Sequence, residues 1–529
     1  MIFMNRLSIS FLPVFLLCAL PGIIAQTAGD GPVVTTEAGK VQGRVLNGIS
    51  VFKNIPYAAA PVGSLKFAAP ARQAAWTGVR DAVEEGPTAP FNIPPSPDIS
   101  PDAVFGKGWV KGGDYLTVNI WTPDVSTGNL PVMVYIHGGA FVLGTANVPL
   151  FDGRQFATKG VVMVSLNYRL GIEGFLKIKD VPSNLGIRDQ LAALQWVKNN
   201  IVAFGGDPGN VTIFGESAGG MSVAVLSVCP AAKGLFKRAI MLSGSGQAVF
   251  SSEQADRIAK AYTKKLKIKN TVKDWSKFTP EQLLAAQAQV TPKMVNLETE
   301  EYADPTGGAV MFFPVIDGDI VPDLPLKSLE NGVADNVDLL LGYNSDEANY
   351  FLVPMGLMKK IKYNFILNKA IKLVHPAPSA ISAVYKKAYP KKTLGEIFSS
   401  ILTAYQFLVP AVRFADQHAG RKNNTYMYEF AWPSSVAKGI YGAYHGIALP
   451  FVFNNLDIVK GEGKMLGTGN VDPKLAKNMQ DAFVKFAKTG NPGWEAYTPT
   501  ERKTMLINNE WLLQTNPHKK EISIWDGVR

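Results

Sequence analysis

Short apolar runs alternate along this chain with stretches of helical spacing. Residues 116–121, 131–136 and 160–168 are mostly apolar or alternate apolar with polar positions, which predicts strands. Between residues 184 and 204 apolar side chains recur three or four positions apart, which predicts a helix that ends at Gly205-Gly206. Strands that alternate with helices in this way indicate a mainly parallel α/β sheet.

Further strands are predicted on the same grounds in the C-terminal half. They cover residues 238–242, 337–342, 425–430, 504–507 and 522–525. Near the N-terminus, residues 41–45 and 49–52 flank Asn47-Gly48, which predicts a β-hairpin. Residues 251–310 and 350–420 read as largely helical insertions, which we expect to cover the carboxyl ends of the strands.

One domain is expected over residues 26–529. Residues 87–113 are rich in proline and glycine and predict a long surface loop. No linker of the length found at domain boundaries separates the predicted elements. We therefore expect the elements to share one central sheet.

Residues 1–25 have the pattern of an export signal. Arg6 supplies the positive charge, and residues 7–24 are mostly apolar but interrupted by prolines. We expect cleavage after Ala25, with Ala28 as the second choice, and a secreted or periplasmic product. The alternative is an N-terminal membrane anchor, which the short, proline-broken run disfavours. No later stretch reads as a membrane span.

Composition narrows the possible environments and partners. The chain has 529 residues, 47% of them hydrophobic, and a net charge of +10. Loss of Cys18 with the signal would leave Cys229 alone, so no intramolecular disulfide is expected. The lysines form no basic stripe interleaved with aromatic residues, which argues against a nucleic-acid partner.

A candidate nucleophile lies at Ser217. Residues 211–214 are apolar and run directly into Gly215-Glu-Ser-Ala-Gly-Gly. In a strand-to-helix turn of this kind the serine hydroxyl is exposed, while a Cβ at either flanking glycine would collide with neighbouring backbone. The helix N-terminus that follows suits an oxyanion. The alternative is an ordinary glycine-rich turn with an inert serine.

A second glycine pair follows the strand at residues 131–136. Gly138 and Gly139 allow backbone N–H groups to turn toward a ligand, as an oxyanion-binding loop requires. His137 lies beside these donors, so we expect it to orient the loop rather than to act as a base.

The general base and its acid partner must come from later in the chain. Of the five histidines, His445 has the most suitable setting, a flexible loop of small residues before an apolar segment. His418 is expected on a surface helix. Asp346 and Glu347 both follow the predicted strand 337–342, whereas the rival pair Asp317 and Asp319 fits an Asp-Gly turn; the residues alone leave this choice open.

With these pieces in place, the chain resembles the type-B carboxylesterases, the cholinesterase-like branch of the α/β-hydrolases, from about residue 33 to the C-terminus. The matching motifs are Asn54-Ile-Pro-Tyr-Ala-Ala-Ala-Pro-Val-Gly, Asn119-Ile-Trp-Thr-Pro, His137-Gly-Gly-Ala-Phe, Asn167-Tyr-Arg-Leu-Gly, Asn184-Leu-Gly-Ile-Arg-Asp-Gln, Phe204-Gly-Gly-Asp-Pro and Gly215-Glu-Ser-Ala-Gly-Gly. The resemblance implies the α/β-hydrolase fold, a large mainly parallel sheet with helices on both faces and helical insertions over the active site.

The resemblance also implies roles for individual residues. The family's nucleophile falls on Ser217, its acid on Glu347 rather than Asp346, and its base on His445. Its oxyanion donors fall on the N–H groups of Gly138, Gly139 and Ala218. Arg169 and Asp189 resemble the family's buried structural ion pair.

The chain departs from the family pattern at several positions. Ala89 and Tyr115 stand where the family often has two disulfide-bonded cysteines. Lys66 replaces an arginine, and Gly113 replaces the glutamate that usually pairs with it. Ala448 occupies a position three residues after the histidine that is often acidic, which leaves Glu347 as the main expected support of His445.

The resemblance implies a serine carboxylesterase that acts on small-molecule esters and needs no metal or organic cofactor. The alternatives are a lipase that acts at interfaces, a non-catalytic adhesion-type member and a peptidase on the same fold. Retention of Ser217, Glu347 and His445 argues against the adhesion-type alternative.

Overall fold

An eleven-stranded sheet forms the centre of the protein in the computed structural model, which describes residues 31–244, 246–299, 304 and 310–528. The predicted signal at residues 1–25 lies outside the described residues, so it stays a prediction. A separate three-stranded sheet packs near the N-terminus.

The strands of the two sheets range from three to eleven residues in length. In chain order they are β1 (Val33–Thr35), β2 (Lys40–Gln42), β3 (Arg44–Leu46), β4 (Ile49–Pro56), β5 (Val79–Asp81), β6 (Thr117–Thr122), β7 (Leu130–Ile136), β8 (Val162–Leu166), β9 (Gly206–Glu216), β10 (Arg238–Leu242), β11 (Asp338–Asn344), β12 (Thr425–Phe430), β13 (Thr504–Ile507) and β14 (Trp511–Gln514).

Helices connect and cover the strands. They are α1 (Asp102–Phe105), α2 (Arg154–Ala157), α3 (Gly171–Phe175), α4 (Leu185–Asn200), α5 (Ala218–Val228), α6 (Ser252–Leu266), α7 (Val272–Trp275), α8 (Pro280–Gln287), α9 (Pro325–Glu330), α10 (Asn349–Leu352), α11 (Leu357–Lys360), α12 (Asn364–Ile371), α13 (Pro378–Ala388), α14 (Leu394–Thr403), α15 (Val409–His418), α16 (Leu449–Phe453), α17 (Leu456–Val459), α18 (Pro473–Thr489) and α19 (Lys519–Ser523). A π-helical turn, Ala404–Leu408, joins α14 to α15.

The large sheet has the strand order β14-β13-β12-β11-β10-β9-β7-β8-β6-β4-β3. Neighbouring strands are parallel from β13 to β8 and antiparallel at both edges. The mainly parallel sheet predicted from the strand–helix alternation is therefore confirmed, as is the hairpin at Asn47-Gly48, which joins β3 to β4.

Side chains of the central strands enter two cores on opposite faces of the sheet. Along β7, Val132, Val134 and Ile136 pack into one core, whereas Met133 and Tyr135 pack into the other. Because both faces are covered, the strand is apolar throughout instead of alternating with polar positions. Because both faces of these strands are packed, the positions of their ends are fixed. The candidate site lies at those ends.

The predicted strand at residues 522–525 is wrong. The chain there forms α19, Lys519–Ser523, followed by a turn. Ile522 and Trp525 are both buried. Their separation of three positions places them on one side of a helical turn, whereas a strand would separate them onto opposite faces.

One helical stretch, Leu394–His418, is long and apolar enough to cross a bilayer by composition. Its most apolar window has a mean hydropathy of 1.3, and 72% of that window is buried inside the protein. Burial against other elements accounts for the apolar character, so this stretch is a core helix of the fold.

A buried polar cluster lies where the family often has a disulfide. The Tyr115 hydroxyl donates to Glu173 Oε2 at 3.1 Å, and Lys66 Nζ lies 3.3 Å from Glu173 Oε1. Burial raises the pKa of Glu173, and the charge of Lys66 opposes that rise. Position 113, which is often a glutamate in the family, is a glycine here. Glu173 is therefore the acidic partner of Lys66 in this chain.

Replacing Tyr115 by phenylalanine should destabilise the fold. The change leaves the buried Glu173 carboxylate without one of its donors, which costs about 1–3 kcal/mol. The measurement is the free energy of unfolding in urea. Tyr135→Phe is the matched control, because the Tyr135 hydroxyl is buried without a hydrogen-bond partner among the described residues. Equal losses in the two variants would contradict the role of the Tyr115–Glu173 bond.

Candidate active site

The turn between β9 and α5 holds Ser217 in an unusual backbone conformation. Ser217 has φ 55° and ψ −122°, which is rare for a residue with a side chain and costs about 1–3 kcal/mol. The Ser217 N–H donates to the Leu242 carbonyl of the neighbouring strand β10 at 2.9 Å. The helix α5 begins at Ala218, immediately after the serine.

Two glycines make this turn possible. A Cβ on Gly219 would overlap the carbonyl oxygen of Ile136, at the end of strand β7. A Cβ on Gly215 would overlap the backbone of Gly219. The predicted reason for the two glycines, close approach of strand and helix backbones, is confirmed.

Ser217, His445 and Glu347 form a continuous hydrogen-bonded chain. His445 Nε2 lies 2.8 Å from Ser217 Oγ, and His445 Nδ1 lies 2.7 Å from Glu347 Oε2. Since a carboxylate only accepts, Nδ1 carries the proton and Nε2 is free to accept from the serine. Glu347 is fully buried, and its other oxygen accepts from the Asn344 N–H at 2.7 Å.

The end of strand β11 ties the loops of the acid and the base together. Asn344, its last residue, donates from Nδ2 to the Tyr444 carbonyl at 2.9 Å, directly before His445. The N–H of Ala348, directly after Glu347, donates to Thr403 Oγ1 at 3.1 Å. These bonds hold the Glu347 turn between the His445 loop and helix α14.

The rival carboxylates lie away from His445. Asp319 pairs with Arg188 at 2.7 Å, and Asp317 accepts from the Asp319 N–H within their own turn at 3.0 Å. Asp346 is adjacent to Glu347 in sequence but faces Lys392, 3.6 Å away. Of the acids that the residues left open, only Glu347 contacts the histidine.

Three of the remaining histidines are engaged elsewhere. His375 donates from Nε2 to a backbone carbonyl near the C-terminus at 3.0 Å, and His518 pairs with Glu429 at 2.8 Å. His418 lies 2.7 Å from Thr425 Oγ1 and is 1% exposed, so its predicted surface position is wrong. Helix α15 buries this residue because it packs beside strand β12.

His137 is fixed within the glycine loop. Its Nδ1 donates to the Gly138 carbonyl at 2.8 Å, and its ring stacks on Tyr168 with centroids 4.5 Å apart. Burial lowers the pKa of His137 to about 4. A neutral, stacked imidazole with this bond positions the loop, in line with the prediction.

Two of the three predicted oxyanion donors, Gly138 and Ala218, lie at the serine turn, and Gly139 follows Gly138 in the same loop. A Cβ added to Gly138 would lie 3.2 Å from Ser217 Cβ, and Gly139 has a φ of +113° that favours glycine. Ala218 is the first residue of α5, so its N–H is one of the helix's unbonded donors.

Glu216 is a site residue that the sequence reasoning missed. Its Oε1 lies 3.3 Å from His445 Nε2, on the serine side of the ring. Burial raises its pKa to about 7, and the nearby charge of Glu347 adds to the rise. Its position directly before the nucleophile, at the end of a buried strand, is the sequence signal that could have revealed it.

The base therefore has two carboxylate neighbours. Burial lowers the pKa of His445, but the charges of Glu216 and Glu347 outweigh burial, so the net shift is upward. Glu347, expected as the main support in the absence of an acid at Ala448, shares this role with Glu216.

Aromatic rings surround the outer side of His445. The ring of Phe407 lies 4.9 Å from the imidazole centroid, that of Phe351 5.3 Å and that of Tyr350 6.2 Å. Phe407 is carried by the π-helical turn Ala404–Leu408, a local irregularity that spacing in the sequence does not reveal. These three rings, which we call the aromatic wall, give the site an apolar boundary.

Comparison with known proteins identifies the family of this chain. A sequence profile of the carboxylesterase family matches residues 30–525, so the chain belongs to that family. It is a carboxylic ester hydrolase of the serine type with the α/β-hydrolase fold. Neither the lipase nor the adhesion-type alternative is favoured.

Relatives with curated names are similar over nearly the whole chain. A para-nitrobenzyl esterase of Bacillus subtilis is 37% identical over 502 residues, which cover 92% of this chain and 97% of the relative. A cholinesterase of Mus musculus is 30% identical over 540 residues, covering 94% and 87%.

Solved structures share the fold. A carboxylesterase of Geobacillus stearothermophilus, EST55, superposes with a TM-score of 0.80 at 34% identity and covers 93% of this chain and 99% of its own. A PNB esterase structure gives a TM-score of 0.78 at 35% identity, with the same coverage of both chains.

Replacing Glu216 by glutamine should move the acid limb of the pH–rate profile to lower pH. His445 acts as a base only when neutral, and its raised pKa removes that form as the pH falls. Glu216, whose own pKa is raised to about 7, is still partly charged where His445 titrates. Its replacement by neutral glutamine therefore lowers the pKa of His445, so activity should persist further into acid. The measurement is kcat/KM for a soluble ester across pH.

The control for this experiment is Glu429→Gln, a buried carboxylate that contacts His518 rather than His445. We expect no shift of the acid limb in the control. An unshifted limb in a folded, active Glu216→Gln variant would show that Glu216 is not coupled to the base.

Proposed function

We propose that this protein hydrolyses carboxylic esters through an acyl-enzyme formed on Ser217. His445 Nε2 takes the proton from Ser217 Oγ as the oxygen attacks the ester carbonyl, and then passes it to the leaving alcohol. A water activated by the same nitrogen releases the acid. The supporting observation is the bonded chain from Ser217 through His445 to Glu347, with distances of 2.8 and 2.7 Å.

The N–H groups of Gly138, Gly139 and Ala218 stabilise the tetrahedral oxyanion in this proposal. The position of Gly138 beside Ser217 and of Ala218 at the helix N-terminus supports the role, because such donors are fixed before negative charge develops. Removal of one donor of this kind typically lowers kcat about 10²–10³-fold.

Glu347 holds the imidazole in the tautomer that leaves Nε2 unprotonated, and it stabilises the imidazolium that forms during attack. Its complete burial supports this role, because an unscreened carboxylate acts strongly on an adjacent cation. The three residues act as a unit within one catalytic domain, which we place at residues 26–529.

The aromatic wall favours apolar substrates with a ring or a branched group next to the ester. Phe351, Phe407 and Tyr350 offer flat, largely apolar surfaces beside the base. The para-nitrobenzyl esterase named among the relatives supports aromatic esters as a substrate class for this chain.

Replacing Ser217 by alanine should lower kcat by at least about 10⁴-fold, because the covalent route is lost and only residual stabilisation remains. Mass spectrometry after treatment with a fluorophosphonate should place the adduct on Ser217. The control is Ser227→Ala, a serine of the same helix that donates only to the Val223 carbonyl. An adduct elsewhere, or full activity in Ser217→Ala, would overturn the assignment.

We also propose that residues 1–25 direct export and are removed, which leaves a secreted or periplasmic enzyme. The charge of Arg6 and the proline-broken apolar run support this. Sequencing the N-terminus of the exported protein should show a chain that begins at Gln26, or at Gly29 if the second site is used. An intact leader in the membrane fraction would support the anchor instead.

A further inference from the structure

Residues 348–395 contain no acidic residue. The whole chain has 43 Asp and Glu in 529 residues, so a stretch of this length would carry about four. Instead it carries nine lysines and no arginine: Lys359, Lys360, Lys362, Lys369, Lys372, Lys386, Lys387, Lys391 and Lys392. Within the described residues, the ion pairs of this stretch are limited to that of Lys392 with Asp346.

The same stretch exposes large apolar side chains. Leu373 is 75% exposed and Phe365 71%, the two highest values among the large hydrophobic residues that the structure describes. Met355 and Tyr363 are more than half exposed as well, and the rings of Tyr363 and Phe365 stack 5.8 Å apart. Such a group of exposed apolar residues marks an interaction surface.

The apolar and basic residues share one face of helix α12. Leu367 and Ile371 are buried, and their spacing defines the inner face of the helix. Phe365, Lys369 and Lys372 follow one another at i, i+4 and i+7, which places them together on the opposite face. All three are exposed.

The exposed face has the composition of a membrane-surface helix. Apolar tips insert at the boundary of headgroups and acyl chains, while lysines around them contact anionic headgroups. Tyr363 and Phe365 offer flat rings, but Leu373 and Met355, which are about equally exposed, are aliphatic and suit acyl chains rather than base stacking. The mixture favours a membrane over a nucleic acid. A second copy of the chain would bring like charges together, which disfavours self-association.

We propose that the surface formed by residues 355–373, with Phe365 and Leu373 at its tip and Lys359, Lys360, Lys362, Lys369 and Lys372 around them, docks onto an anionic phospholipid bilayer. This activity is independent of the proposed ester hydrolysis. The stretch begins beside the site, because Phe351 contacts His445.

The first test is sedimentation of the protein with phospholipid vesicles. Vesicles of phosphatidylcholine with about 30% phosphatidylglycerol should bind the wild type, and pure phosphatidylcholine should bind it far more weakly. Raising the salt to about 1 M should weaken binding to the anionic vesicles, because it shortens the screening length. Equal binding to both vesicle types, or none to either, would overturn the proposal.

Matched double variants locate the surface. Lys369→Gln with Lys372→Gln should lower the partition coefficient about 25-fold, since each lysine near an anionic surface contributes about fivefold. Lys264→Gln with Lys265→Gln, on the exposed face of α6, should change it little. Equal losses in the two pairs would show a nonspecific effect of net charge and overturn the assignment.

The apolar tip is tested in the same way. Phe365→Ser with Leu373→Ser should weaken binding at least about tenfold, because both side chains lose their insertion into the interface. The control pair, Met294→Ser with Leu512→Ser, removes two apolar side chains elsewhere that are more than half exposed, at 58% and 57%. Activity on a soluble ester, unchanged in every variant, verifies the fold. A concentration-dependent dimer that accounts for the pelleting would also overturn the proposal.

Discussion

The close approach of three backbone segments at Gly215 and Gly219 is the constraint on which the site depends. Strand β7, strand β9 and helix α5 meet there with no room for a Cβ at either glycine. This contact forces Ser217 into its strained conformation and sets the direction of its hydroxyl. The two buried cores supply the stability that holds the strain, because the strands cannot move apart without opening both of them.

Electrostatics imposes a second constraint around the base. One imidazole lies between two buried carboxylates, with Glu347 at Nδ1 and Glu216 at Nε2. Neither carboxylate is well solvated, so each gains when His445 is protonated. The arrangement favours the imidazolium that forms as the serine attacks, and the aromatic rings nearby keep the medium around these charges apolar.

Much of the fold followed from pattern. The strand–helix alternation predicted the parallel sheet, and Gly215-Glu-Ser-Ala-Gly identified the serine turn before any geometry was known. The short segment at residues 522–525 could not be assigned from its pattern. Four residues are too few to distinguish the two-residue period of a strand from the 3.6-residue period of a helix. His418 was misplaced because burial of a helix depends on which elements lie beside it.

The candidate site could be predicted only in part. Residue types and their order along the chain indicated His445 as the base. The choice between Asp346 and Glu347, however, depends on the direction in which the turn points each side chain. The residues alone therefore left it open, and the family resemblance decided it. Glu216 stands directly before the nucleophile, but its contact with His445 depends on how the His445 loop folds back onto strand β9. Phe407 belongs to the site through a contact between segments far apart in sequence, and such a contact leaves no periodic trace in the sequence.

The cluster of Lys66, Tyr115 and Glu173 has a consequence for where this enzyme can fold. It joins elements near the residue 87–113 loop by noncovalent bonds, and Cys229 is the one cysteine in residues 26–529. With the proposed removal of Cys18, the chain has no intramolecular disulfide to form, so its folding does not depend on a disulfide oxidase or disulfide isomerase. The chain should reach its native state equally well in a reducing cytosol and in an oxidising compartment. Its yield of folded protein should therefore not depend on the redox potential of the compartment in which it is made.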